Sequence, residues 1–173
     1  MILYPDEHFN NVREIQIDFL QKNKIKALIL DVDNTLIDYD KNLSEETIEW
    51  AKYLKKQGIK LYILSNSNKK EKVKTVAEKL EIEYEYFGKK PLKTGFKRVQ
   101  KKLEENPENI GVVGDQIFTD VLGGNRCKMF TILVEPIAEK DIWLTLIKRP
   151  IENIIKNKYK KQRKGSMTKV IHK

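Results

Sequence analysis

Five short apolar runs recur along this 173-residue chain, and patterns with helical spacing separate them. Residues 26–32, 59–64, 109–113 and 129–134 are rich in Leu, Ile and Val and too short for buried helices, so they read as strands, and 83–87, Glu-Tyr-Glu-Tyr-Phe, reads as a short one between them. Between them, Ser44 starts a helix over about 45–57 with Ile48, Ala51 and Leu54 on one face, closed by Gly58. Asn68 and Glu71 have the spacing of a capping box for a helix carrying Val73, Val76, Ala77 and Leu80. Further helices are expected over about 92–105 and 118–125. Strands alternating with helices dictate a parallel sheet with right-handed crossovers and helices on both faces. The expected fold is thus a Rossmann-like, three-layer α/β/α domain with a doubly wound parallel sheet of about five strands.

In such sheets ligands bind beyond the carboxyl ends of the strands, and those ends carry this chain's chemistry. The first run ends Asp31-Val32-Asp33-Asn34-Thr35-Leu36. Two carboxylates at the tip of a buried strand each cost several kcal/mol unless a cation meets them. No His or Cys lies near, so a hard, oxygen-bound ion such as Mg²⁺ is the natural partner. The plain alternative is a solvated Asp-Asn turn. Three further strand ends weigh against it. Ser65-Asn66 closes the second strand, Gly88-Lys89-Lys90-Pro91 follows the third, and Gly114-Asp115 closes the fourth, with Asp120 five residues on.

This constellation resembles the haloacid dehalogenase (HAD) superfamily of phosphatases. Asp31-Val32-Asp33-Asn34-Thr35-Leu36 is similar to its first motif, Ser65 to the second, Lys90 to the third, and Gly114-Asp115-Gln116-Ile117-Phe118-Thr119-Asp120 to the fourth. A closer resemblance spans nearly the whole chain. Lys90-Pro91-Leu92, the stretch Gly114 to Arg126, and Thr131-Ile132-Leu133-Val134 look like the YqeG family, a subclass IIIA branch related to mitochondrial phosphatidylglycerophosphate phosphatases. The resemblance implies a phosphomonoester hydrolase in which Asp31 attacks phosphorus and forms an aspartyl-phosphate. Asp33 would then be general acid and base. Mg²⁺ would sit on Asp31, the main-chain carbonyl of Asp33, and Asp115. Ser65, Asn66 and Lys90 would bind the phosphoryl group. Asp120 would act beyond the direct ligands or through a water, its competing role being a helix cap. Lys89 competes with Lys90 for the cation's place.

The other singled-out residues have plainer readings. Asn34 and Thr35 are expected to bond the turn that presents Asp33. Gly123-Gly124 is expected to be a tight turn, since no Lys-Ser/Thr follows it. Cys127, the one cysteine, is expected in the core, and His8 and His172 are poor catalytic candidates.

The net charge of +9 is confined to the end of the chain. Residues 148–173 hold ten Lys/Arg and one acid, so the first 147 are balanced. This divides the chain into an expected phosphatase domain, 1–147, and a basic amphipathic C-terminal helix and tail, 148–173. Ile151, Ile154, Ile155 and Tyr159 fall among lysines, as in a helix lying on an anionic bilayer, or one docked on the sheet with its lysines solvated. Phe9, Val12, Ile15, Ile17 and Phe19 could likewise meet either core or lipid.

No stretch is long and apolar enough to cross a membrane, and the start lacks a signal-peptide pattern. A cytoplasmic protein, in peripheral contact with the membrane's inner face, is the expectation. The resembling superfamily inserts caps after its first motif or between its second and third, and neither interval here has room for one. An open site suits a large or lipid-linked phosphomonoester such as phosphatidylglycerophosphate. The alternatives are a soluble or phosphoprotein substrate, or RNA or ribonucleoprotein binding by the arm with weak hydrolysis. Nucleic acid is the poorer partner, because the arm interleaves few aromatics for base stacking.

Overall fold

All five apolar runs become strands in the computed structural model, which describes residues 2–137, and a sixth joins them. The strands are β1 (Glu7–Phe9), β2 (Ala27–Leu30), β3 (Lys60–Leu64), β4 (Glu83–Glu85), β5 (Ile110–Gly114) and β6 (Phe130–Val134). Every pairing is parallel, in the order β1-β6-β5-β2-β3-β4. The unexpected member, β1, is a three-residue edge strand whose Glu7 to Phe9 pair with Ile132 to Val134. The boundary near residue 147 and the basic arm lie outside the described residues.

Side chains alternate across β2. Leu28 and Leu30 join Ile63, Val113 and Ile132 in one core cluster, while Ala27 and Ile29 join Tyr62, Leu64 and Val112 in another. The helices α2 (Glu45–Lys56) and α3 (Lys70–Leu80) cover the first cluster with Trp50, Ala51, Leu54, Val73, Ala77 and Leu80. Helix α4 (Lys93–Leu103) covers the second with Phe96, Val99 and Leu103. Full burial of Phe96 alone contributes about 1.5–3 kcal/mol. These three layers bury β2 and β5 on both faces, and the site stands at their tips.

The N-terminal apolar residues belong to this core. Val12 and Ile15 are buried, and the indole N–H of Trp50 donates to the Ile15 carbonyl at 2.9 Å. Phe19, in the short helix α1 (Ile17–Lys22), meets Phe9 edge-on at 5.1 Å between ring centres. Between Leu36 and Ser65 the chain forms only α2 and β3, and between Ser67 and Lys89 only α3 and β4, so among the described residues no cap domain stands over the sheet.

Two local expectations need correction. Ser44 caps α2 through the Thr47 amide, but Asn68 does not cap α3, whose N-cap is Lys69 with no side-chain bond. Gly123-Gly124 is not a turn. It lies inside α5 (Leu122–Arg126), where a Cβ at Gly123 would run into the Phe96 ring and one at Gly124 into Thr131 and Val112. The missing side chains let this helix settle onto α4 and the sheet. Asn34 and Thr35 hold their turn through main-chain bonds, Asn34 N–H to the Ile37 carbonyl and Thr35 N–H to that of Val32, while Asn34 Oδ1 and Thr35 Oγ1 are buried without a hydrogen bond.

Candidate active site at the carboxyl ends of the strands

From β2 the chain turns in order to β3 and β4 on one side, and from β5 to β6 on the other. The strand order therefore reverses between β2 and β5, where an open α/β sheet leaves a crevice beyond its carboxyl edge. Asp31 continues β2 into that crevice, its amide donating to the Val113 carbonyl at 2.9 Å. Asp115 follows β5 directly and is 4% exposed.

Asp120 reaches the same place from a π-helical turn, Ile117–Val121. Such turns are rare and frequently mark functional sites. Gly114 makes room for it, because a Cβ there would collide with the Asp120 carboxylate. The Gln116 amide and the Thr119 hydroxyl each donate to Asp120 Oδ2 at 3.3 Å and fix its rotation. Asp31, Asp115 and Asp120 then each offer an oxygen within 4.8 Å of the other two, and all three residues are buried.

One cation of the chain faces this trio. Lys90, 7% exposed, donates from Nζ to Asp31 Oδ1 and to Asp120 Oδ1, both at 2.6 Å. Lys89 points elsewhere and stands over the Phe87 ring at 5.2 Å. The main chain of Lys90 is clasped by Asn66, whose Oδ1 accepts from the Lys90 amide at 2.7 Å and whose Nδ2 donates to its carbonyl at 2.9 Å. Asn66, expected among the phosphate binders, here positions Lys90. Ser65 is 1% exposed at the tip of β3, and its Oγ accepts from the Ser67 amide at 3.1 Å. Leu30 pairs with Ile63, so Ser65 stands one residue step from Asp31 along adjacent strands.

Asp33 is not in the carboxylate trio. Its side chain is 47% exposed and accepts from Nζ of Lys72, in the first turn of α3, at 2.5 Å. Nothing in the sequence singles out Lys72. One lysine among Lys69, Lys70, Lys72 and Lys74 carries no local signal, and only the packing of α3 beside the turn after β2 distinguishes it.

The electrostatics follow from this geometry. Burial raises the Asp31 carboxyl to about 6; Lys90 opposes the rise, and Asp120 and Asp33 add to it. Burial alone would lower Lys90, but Asp120 and Asp31 outweigh it and hold the ammonium above its usual range. Among the described residues three buried carboxylates lie together here, and two of them share the Lys90 ammonium. Two like charges about 4 Å apart repel by about 4 kcal/mol at the effective dielectric of a protein surface, so a further cation is strongly favoured. The donors are oxygens only, which suits a hard divalent ion and not zinc or copper. The residues present fit such an ion.

Relatives of the chain agree with this reading. A family model described as mitochondrial PGP phosphatase matches residues 1–138. A Bacillus subtilis (strain 168) protein named "Probable phosphatase YqeG" is 39% identical over 159 residues, 91% of this chain and 92% of its own. Two solved structures share the fold at low identity. An uncharacterized protein from Listeria monocytogenes serotype 4b superposes at TM-score 0.56 with 20% identity, covering 68% of this chain and 84% of its own. A hypothetical protein from Xanthomonas campestris does so at 0.52 with 13% identity, covering 76% and 75%. The chain belongs to the family described as mitochondrial PGP phosphatase, and it is a phosphatase.

Proposed function

We propose that this protein hydrolyses phosphomonoesters in a Mg²⁺-dependent reaction through an aspartyl-phosphate on Asp31. The observation that carries the proposal is the position of Asp31: at the mouth of a sheet crevice, ion-paired to Lys90, with Asp115 and Asp120 within ligand reach. Asp31, Asp115 and the Asp33 main-chain carbonyl would hold the ion, with Asp120 beside them. When bound, the ion neutralises phosphoryl oxygens and so lets a carboxylate approach phosphorus.

The chain's own residues account for the rest. Asp31 Oδ attacks phosphorus in line as the ester bond breaks. Asp33, half exposed and outside the trio, hands a proton to the departing alkoxide. It then takes one from the water that cleaves the acyl-phosphate, which releases inorganic phosphate and restores Asp31. The Ser65 hydroxyl and Lys90 ammonium meet the equatorial oxygens as charge builds. Asn66 keeps Lys90 on station through its two main-chain bonds.

The crevice, which no described residue caps, and the family's description support a substrate class. An open site cannot enclose a small metabolite, which favours a phosphomonoester attached to something large, and the matching family is described by its PGP phosphatase activity. We therefore favour a lipid-linked phosphomonoester of the phosphatidylglycerophosphate kind, met at the cytoplasmic membrane face. No helix among the described residues is long and apolar enough to cross a membrane, so that contact would be peripheral. The test is phosphate release, with and without Mg²⁺, from lipid, nucleotide, sugar and peptide phosphates. Preferential turnover of the lipid phosphate is expected. Turnover only of soluble or peptide phosphates would replace the lipid assignment, and metal-independent turnover would remove the mechanism.

A further inference from the structure

Exposed apolar side chains gather at one edge of the molecule. Of the seven large ones among the described residues, five (Tyr39, Tyr86, Phe87, Leu92 and Ile137) stand on segments leaving the carboxyl ends of strands, where the crevice opens. Tyr86, Phe87 and Leu92 bracket Lys90 in the chain. The Phe87 amide donates to the Ser67 carbonyl and the Gly88 amide to that of Ser65, both at 2.8 Å. This rim is thus fastened to the segment that carries Ser65.

Two of the rim residues stand where local physics favours something else. Phe87 has φ +52°, in the left-handed region that glycine or asparagine occupies at least cost. Packing in a core would offset that cost for a bulky ring, yet Phe87 is 52% exposed. Leu92 is the N-cap of α4 and makes no side-chain cap bond, at a position where Ser, Asp or Asn would satisfy a free amide. It too is exposed. Chains break local rules of this kind at functional sites. Both departures put apolar surface into solvent at the mouth of the crevice.

Cations are interleaved with these groups. Residues 66–70 and 86–97 contain no acid, and their Lys69, Lys70, Lys89, Lys93 and Lys97 are all exposed. Lys89 Nζ stands over the Phe87 ring at 5.2 Å and Lys70 Nζ over the Tyr86 ring at 5.9 Å. Arg126 donates to the Pro91 carbonyl at 3.3 Å, next in the chain to Leu92. Rings and a leucine set among cations suit an anionic bilayer, where the apolar groups enter the headgroup boundary and the cations meet lipid phosphates. Base stacking suits the rim less, because it needs the ring faces that Lys70 and Lys89 already cover. Residues 148–173 are themselves basic, as is a second copy of the rim, so like charge opposes either as its cover.

We propose that the rim of Tyr86, Phe87 and Leu92, with Lys70, Lys89 and Lys93, docks the protein body on an anionic bilayer with the crevice facing the headgroups. The proposal rests on the peripheral membrane contact given above and names the surface that makes it.

The test uses the full chain and vesicles of equal phosphatidylglycerol and phosphatidylcholine, with partitioning read by flotation. Phe87→Asn with Leu92→Ser supplies the residues that local physics favours. This double variant should partition about ten- to hundredfold more weakly than the wild type. Its denaturation midpoint should equal or exceed that of the wild type, and its turnover of p-nitrophenyl phosphate should stay within about twofold. Lys70→Gln with Lys89→Gln and Lys93→Gln should weaken partitioning by about tenfold or more, and high salt should shrink the difference. The lysine variant decides by itself if the double variant does not fold. A lower midpoint with unchanged partitioning in the double variant would make Phe87 and Leu92 packing residues and overturn the proposal. Equal partitioning of both variants and the wild type would overturn the rim and leave the contact to another surface. A wild type that binds no vesicles would overturn the membrane contact together with the rim. Capture of single-stranded RNA without vesicle binding, lost in the same variants, would put nucleic acid in the bilayer's place. Flotation needs no turnover, so failure of the hydrolase reading would leave this test standing.

Discussion

Asp31 and Asp33 stand two residues apart and live in opposite surroundings. Asp31 is buried at the end of β2, shares Lys90 with Asp120, and its carboxyl is raised to about 6 by burial. Asp33 is half exposed past the turn and leans on Lys72 at the edge of an open groove. The same side chain can therefore be given two tasks by position alone. In the proposed mechanism the inner one, among buried charges, would be the in-line nucleophile, and the outer one, facing solvent, would be the proton carrier.

The largest effect should come from removing the inner carboxylate. Asp31→Asn keeps the size and loses the nucleophile, so turnover of any phosphomonoester should fall by about 10⁴-fold or more, with unchanged circular dichroism. Asp33→Asn should cost about 10²–10⁴-fold with a poor leaving group such as an alkyl alcohol. In kcat/KM, which reports the steps through departure of the alcohol and not the shared water-activating step, it should cost much less with p-nitrophenyl phosphate, because p-nitrophenolate departs without a proton. Losses of the same size on both substrates would break the division of labour between the two aspartates.

Lys90→Met tests the inner side by stability. It leaves Asp31 and Asp120 buried without their ammonium, and breaking a buried pair in this way costs about 3–5 kcal/mol. The loss should appear as a lower denaturation midpoint, and Mg²⁺ should recover part of it.

A smaller effect concerns pH. Because burial raises the folded Asp31 carboxyl to about 6, it takes up its proton as pH falls through that value, and the proton competes with the ion. Apparent Mg²⁺ affinity, followed by thermal shift, should be level above about pH 7 and weaken progressively below 6. The smallest expected effect, about 1–3 kcal/mol, is that of Gly123→Ala, whose methyl must displace the Phe96 ring.

Much of this arrangement is legible in residue order. The strand runs and the residues at their ends locate Asp31, Ser65, Lys90 and Asp115, because period and composition act locally and the carboxyl edge follows from topology. What escapes local reading depends on contacts between distant segments. Glu7-His8-Phe9 is too short and too polar to announce a strand, and it becomes one by pairing with β6. Gly123-Gly124 looks like a turn until Phe96 and Val112 are seen against it. Asp120 comes into ligand reach only through a π-helical turn, which spacing does not reveal. Lys72 is one of several neighbouring lysines until α3 packs beside Asp33.

The inner carboxylate is tested most directly by trapping its phosphate. Turnover quenched in acid, followed by borohydride reduction and peptide mass analysis, converts a phosphorylated aspartate to homoserine. Homoserine at position 31, dependent on both Mg²⁺ and substrate, is the predicted result. Homoserine at position 33, 115 or 120 in its place, or full turnover with none at any aspartate, would contradict the account.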